Sequence, residues 1–130
     1  MRITADANVL VRAAVMDDPV QGAIAAEMLL EAEAVAVTLP SLCEFVCVLT
    51  RGYKKGANEV AAAVRALIES ASVLADRPAA EAGLAMLERG GDFADGVIAF
   101  EGRRAGGPVF VSFDRDAVAL TEAAGFEAKG

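Results

Sequence analysis

The sequence predicts a doubly wound α/β sandwich with a central, mainly parallel sheet. Segments of helical periodicity alternate with short apolar, β-branched runs along the whole chain. Most of those runs are continuously apolar rather than alternating, the pattern of strands covered on both faces. The length of 130 residues, 55% of them apolar, is enough for one domain with a real core. A single domain over 1–130 is therefore expected.

The elements follow in order. Arg2–Ala5 reads as a strand that ends at Asp6, and Asn8–Val15 as a helix. Val20, Ile24 and Met28 recur at helical spacing and define a second helix that stops near Glu33. Val35–Thr38 is a β-branched strand. Pro40 suits a first helical turn, and Ser41–Arg51 follows with Leu42, Phe45, Val46 and Leu49 on one face. Gly52 and Gly56 bracket a basic loop, Tyr53-Lys54-Lys55. Val60, Val64, Leu67 and Ile68 mark the next helix; their face belongs to the domain core or, failing that, to a protein interface. Ser72–Ala75 is a strand, and Pro78–Arg89 a helix stopped by Gly90-Gly91. Asp92 caps a helix running to about Arg104 that is expected to bury Val97, Ile98 and Phe100. Gly106-Gly107-Pro108 breaks the chain again. Val109–Phe113 is the clearest strand, Arg115–Ala124 the final helix, and Phe126–Ala128 a short edge strand.

Composition removes several functions. There is no histidine, which excludes Ser-His-Asp and Cys-His catalysis and any His-bearing zinc site. Cys43 and Cys47, the only cysteines, are expected to be small buried apolar residues kept reduced. The longest charge-free run, Ala34 to Cys43, is too short to span a membrane, and Asp6 interrupts any signal-peptide core, so a cytoplasmic chain is expected. Twelve basic residues against 19 acidic give a net charge of −7, which at first counts against a nucleic-acid partner.

The acids change that inference. In doubly wound sheets, sites form beyond the carboxyl ends of the strands. Asp6 and Asp114 both directly follow predicted strands. Glu44 is the lone charge between Ala34 and Thr50, and Asp95 lies one turn into an otherwise apolar helix. Each also has a plainer role: Asp6, Asp92 and Asp114 can cap helices, and Glu44 can line a solvated edge. Together, four acids from separate segments point to one acidic pocket. Two carboxylates ~4 Å apart repel by ~4 kcal/mol at an effective dielectric of 20, so such a pocket calls for cations. Oxygen-only ligands select hard ions, Mg²⁺ or Mn²⁺, whose usual work is phosphate chemistry.

At these residues the chain resembles a PIN-domain protein, and within that group a VapC-type toxin of a toxin–antitoxin pair. The resemblance rests on Ala5-Asp6-Ala7-Asn8-Val9-Leu10-Val11-Arg12, Leu39-Pro40-Ser41-Leu42-Cys43-Glu44-Phe45, Asp92-Phe93-Ala94-Asp95-Gly96-Val97-Ile98-Ala99 and Val111-Ser112-Phe113-Asp114-Arg115-Asp116, in the family's order over essentially the whole chain. It implies a PIN-like α/β/α sandwich and an endoribonuclease that uses water activated by one or two Mg²⁺ or Mn²⁺ ions. By motif position, Asp6, Glu44, Asp95 and Asp114 match the metal-binding catalytic acids, and Asn8 and Ser112 the supporting polar positions. Asp92 and Asp116 stand beside matched acids and are further supporting candidates. One departure is Ala7, where the family usually carries a hydroxyl residue.

Arg12, Arg51, Lys54, Lys55 and Arg115 lie near the motifs and are candidates for guiding RNA, with Tyr53 a candidate for stacking on a base. The resemblance further implies a cognate antitoxin protein and a homodimer. The main alternative is a PIN-like interaction module that keeps the fold without the catalysis. A phospho-acceptor receiver domain would need an acidic pair after the first strand and a lysine after a late one; here Asp6 stands alone and Arg115 follows Asp114. Bound divalent ions would offset part of the −7, and the missing histidines then favour carboxylate-held ions as the activators of water.

Overall fold

Short runs become short parallel strands, and each but the last leads within a few residues into a helix. The computed structural model describes residues 1–130 and divides into two compact units, Met1–Asp76 and Arg77–Gly130.

In the first unit, β1 (Arg2–Thr4), β2 (Ala34–Ala36) and β3 (Val73–Leu74) form a parallel sheet in the order β1-β2-β3. The register pairs Ile3 with Val35 and Val35 with Val73. Between β1 and β2 lie α1 (Ala7–Val15) and α2 (Pro19–Glu31). Helix α1 ends on Met16, which takes a left-handed conformation (φ 60°) and donates its N–H to the Arg12 carbonyl. Asp18 then caps α2 by accepting the Gln21 N–H at 3.0 Å, with Pro19 at the first position.

Helix α3 (Leu39–Cys47) follows β2, with Thr38 as its cap and Pro40 in its first turn. Its inward face is the expected one: Leu42, Phe45, Val46 and the following Leu49 are all buried. The expected plain helix to Arg51 instead widens into a π-helical turn, Val48–Gly52. Helix α4 (Ala57–Glu69) buries Val60, Val64 and Ile68, so that face is core, with Leu67 only half-buried at its margin.

In the second unit, α5 (Arg77–Glu88) and α6 (Phe93–Ala105) pack as a close pair. A Cβ on Gly83 would sit 2.6 Å from the Phe93 ring, and one on Gly96 would collide with the Ala82 carbonyl. Strand β4 (Val109–Val111) pairs in parallel with β5 (Glu127–Lys129), and α7 (Arg115–Ala123) connects them. Thr121 is completely buried on α7 and its hydroxyl has no hydrogen-bond partner.

The α/β class and the parallel strands are as expected; the burial of Ile98, of strand β4 and of the cysteines is not, and on α2 the structure decides which face is covered. Val20, Ile24 and Met28 are 70%, 53% and 48% exposed. The small residues Gly22 and Ala25 form the inward face of α2 in their place. Val97 is buried on α6 and Phe100 half-buried, but Ile98 next to Val97 faces solvent, because the buried arc runs through Phe93, Gly96, Val97 and Ala99. Strand β4 is not covered on both faces: Val109, Val111 and Phe113 are exposed, since α6 and α7 pack against a strand whose Phe110 and Ser112 are the better covered positions. Neither cysteine is in a disulfide, but Cys43 is only half-buried and Cys47 is exposed. Both fall outside the stripe formed by Leu42, Phe45 and Leu49.

Candidate active site

The first unit carries two of the four singled-out acids, Asp6 at the carboxyl end of β1 and Glu44 on α3. Asp6 follows β1 and occupies the cap position of α1, but its side chain makes no capping hydrogen bond. Its carboxylate is exposed and has no partner, so capping does not explain it. Its backbone carbonyl alone starts the helix, accepting from Val9 and Leu10. Glu44 lies on α3, downstream of the neighbouring parallel strand β2, and is solvent-exposed rather than buried among the apolar residues around it in sequence. That exposure is what allows a lone carboxylate to stand in an apolar segment without a partner. Asn8, the supporting polar residue, is exposed on the first turn of α1.

The second unit holds a tighter set. Asp92 caps α6, its Oδ1 accepting the Ala94 N–H at 3.0 Å. Asp95 sits half-buried in the first turn of the same helix. Burial pushes its carboxyl above the ordinary carboxylate range, and the charges of Asp92 and Asp114 push it further. A helix N-terminus ordinarily favours a negative side chain, so desolvation and like charges here outweigh the helix field.

Asp114 caps α7: its Oδ1 accepts from the N–H groups of Asp116 (2.9 Å) and Ala117 (3.2 Å). Ser112 Oγ in turn accepts the Asp114 N–H at 3.0 Å, fixing the turn that presents the aspartate. Ser112 therefore supports Asp114 through its backbone. Asp116 is exposed in the first turn of α7. Capping thus engages one oxygen of Asp92 and of Asp114 and leaves the other carboxylate oxygen of each without a hydrogen bond.

As a donor set these residues supply oxygen only, which suits Mg²⁺ or Mn²⁺. No three of the chain's Asp, Glu and Cys side chains converge into a ready-made cluster for an ion. The fit to a cation rests on Asp95, whose charge is disfavoured first by burial and then by Asp92 and Asp114.

The cationic candidates divide. Arg51, Lys54 and Arg115 are exposed and make no ion pair. Lys55 pairs with Glu59 at 3.6 Å. Arg12 is held by Gln21 Oε1 (3.0 Å) and Asp17 Oδ1 (3.1 Å), and the Tyr53 hydroxyl donates to Asp17 Oδ2 at 2.7 Å. Asp17 and Gln21 were not apparent as partners from sequence, because nothing local links a turn aspartate to a tyrosine 36 positions away. An apolar cavity of about 500 Å³, lined by Leu10, Leu29, Phe45 and Leu67 among others, contains none of the acids. No helix is long and apolar enough to cross a membrane.

Comparison with known proteins adds a family to this geometry. Among solved structures, the chain is similar to that of Mycobacterium tuberculosis VapC20, described as a Sarcin-Ricin loop cleaving toxin, with 20% identity, 95% of each chain covered and a TM-score of 0.46. No curated protein matches the chain. The family model for the PIN domain matches residues 3–123. With acids placed at strand ends and helix starts, and with that match spanning nearly the whole sequence, the chain belongs to the PIN-domain family.

Proposed function

We propose that this chain is a metal-dependent endoribonuclease, the toxin of a toxin–antitoxin pair, with Asp6, Glu44, Asp95 and Asp114 as the acids that hold Mg²⁺ or Mn²⁺. The observation that carries the reading is the setting of Asp95: half-buried in the first turn of α6, with burial and the charges of Asp92 and Asp114 all disfavouring its ionised form, which a cation would favour. Membership of the PIN family supports it. A bound hard ion supplies Lewis acidity toward water and phosphate. The chain's own residues do the rest. Asp92 and Asp114 fix the starts of α6 and α7 through their caps, and Ser112 sets the turn before Asp114. Asp6, with no capping bond, keeps both carboxylate oxygens free for a ligand. Arg51, Lys54 and Arg115 offer unpaired charge to RNA phosphates, Arg12 and Lys55 being already paired.

A cognate antitoxin and a homodimer belong to the same reading. The test is cleavage of single-stranded and structured RNA with Mg²⁺ or Mn²⁺, with chelator, and with Asp95→Asn. Cleavage that needs the ion and falls at least a hundredfold in the variant supports the proposal. Equal activity with chelator, or none under any condition in a folded chain, favours the alternative of an interaction module.

A further inference from the structure

Helix α2 turns its large apolar residues outward, and they are not scattered. Ile24 and Met28 form one wall of a groove of about 450 Å³, whose other wall is Asn8, Val9 and Arg12 on α1, with Gln21 at its rim. Buried Ala25 is the floor. The volume falls within the range of small-ligand sites, which are mainly apolar with a few fixed polar groups. The polar groups are of a particular kind. Asn8 and Gln21 are amides, able to donate and accept in one plane. Arg12 is not free to move: Gln21 Oε1 and Asp17 Oδ1 hold its guanidinium, which leaves the Gln21 NH₂ group as a donor.

The groove is also tied to a basic segment. Tyr53 reaches the other oxygen of Asp17, so the 51–55 strap is tied to the α1–α2 turn through the same carboxylate that holds Arg12. The strap carries two unpaired cations. Lys54 is exposed in a left-handed conformation (φ 56°), and Arg51 is exposed in the π-helical turn. A base with its phosphate is the occupant that uses all of these features: the in-plane amides, the aliphatic walls and the unpaired cations of the segment tied to Arg12.

We propose that the α1–α2 groove seats one nucleobase of single-stranded RNA, and that the Arg12–Asp17–Tyr53 bridge holds the Arg51/Lys54 strap beside it as the phosphate contact. This rests on the reading of the chain as a ribonuclease. It assigns Gln21, Ile24 and Met28 to substrate binding, and Asp17 and Tyr53 as positioning residues.

The experiment titrates single-stranded ten-nucleotide RNAs into full-length Asp95→Asn protein with labelled methionine methyls and side-chain amides. The Met28 methyl and the Gln21 amide signals shift on addition of RNA. In the cleavage assay Ile24→Glu, checked for an unchanged melting curve, raises KM about tenfold with a much smaller effect on kcat. Arg51→Ala with Lys54→Ala lowers the slope of log affinity against log salt by one to two. A merely structural role for these exposed residues would move neither. Unmoved Met28 and Gln21 signals under saturating RNA, or an unchanged KM in Ile24→Glu, overturns the inference while wild-type cleavage continues. Shifts seen with an amphipathic peptide but not with RNA overturn it in favour of a protein ligand. Loss of the ribonuclease reading itself shows separately, as absence of cleavage by the wild-type chain.

Discussion

The Tyr53 hydroxyl lies 2.7 Å from Asp17 Oδ2, and this one hydrogen bond joins the loop before α4 to the turn between α1 and α2. It lowers the Asp17 carboxyl below its ordinary value, with the Arg12 charge adding to the effect, and raises the Tyr53 phenol. In Tyr53→Phe the hydrogen bond is gone, and the Asp17 carboxyl titrates at higher pH in a carbon-detected NMR titration. The strap is then released at one end. Limited trypsin digestion after Lys54 and Lys55 is expected to accelerate relative to wild type while the melting midpoint moves little.

Asp95 sets the sign of a pH effect. Its carboxyl is raised above 3.8 in the folded chain, so the folded state holds that proton to higher pH than the unfolded state does. Above the ordinary carboxyl range the unfolded state therefore binds fewer protons, and stability falls as pH rises through the raised value. In chelator, Asp95→Asn melts above wild type at pH 7, and the gap closes below pH 3.8. A wild type more stable than the variant at pH 7 contradicts the sign.

Gly96→Ala inverts the usual helix preference. Alanine ordinarily favours a helix interior over glycine by ~1 kcal/mol. At this position the new Cβ meets the Ala82 carbonyl and lies 2.8 Å from Met86 Cγ. The α5–α6 pair must separate, and a net loss of about 1–3 kcal/mol is expected in chemical denaturation.

The Thr121 hydroxyl is fully buried without a partner. Thr121→Val keeps the shape and removes the unmet group, so stability is expected to rise by about 1 kcal/mol by denaturant midpoint.

The two apolar stripes of the first unit respond in opposite ways. Phe45 is 2% exposed, and Phe45→Ala is expected to cost about 3–5 kcal/mol. Ile24→Ser, on the outward stripe of α2, is expected to stay within about 0.5 kcal/mol of wild type.

That contrast also marks how far the sequence could be read. Val20, Ile24 and Met28 recur at the same kind of spacing as Leu42, Phe45 and Leu49. Periodicity says which residues share a face, but not which face is covered. On α2 the covered side is chosen by small residues: a Cβ on Gly22 would lie 2.7 Å from Met16 Sδ and 3.1 Å from the Arg12 carbonyl. The positions of Asp6 and Asp114 just beyond strands were legible, as were the caps of Asp92 and Asp114, because both follow from local pattern. The missing cap at Asp6 and the raised carboxyl of Asp95 depend on three-dimensional surroundings that spacing does not encode. The Asp17–Tyr53 contact spans 36 positions and left no trace in either segment.

The π-helical turn at Val48–Gly52 makes chain length itself a determinant of this surface. A π turn takes in one residue more than an α turn over nearly the same advance. Winding the same residues as an ordinary α-helix would instead swing every position after them by about 100° around the axis. Tyr53 would then face away from Asp17 with every side chain still present. A homologue one residue shorter in this segment would keep the strap's attachment by closing an ordinary α turn, whereas one of equal length wound as α throughout would lose it with every acid and cation in place.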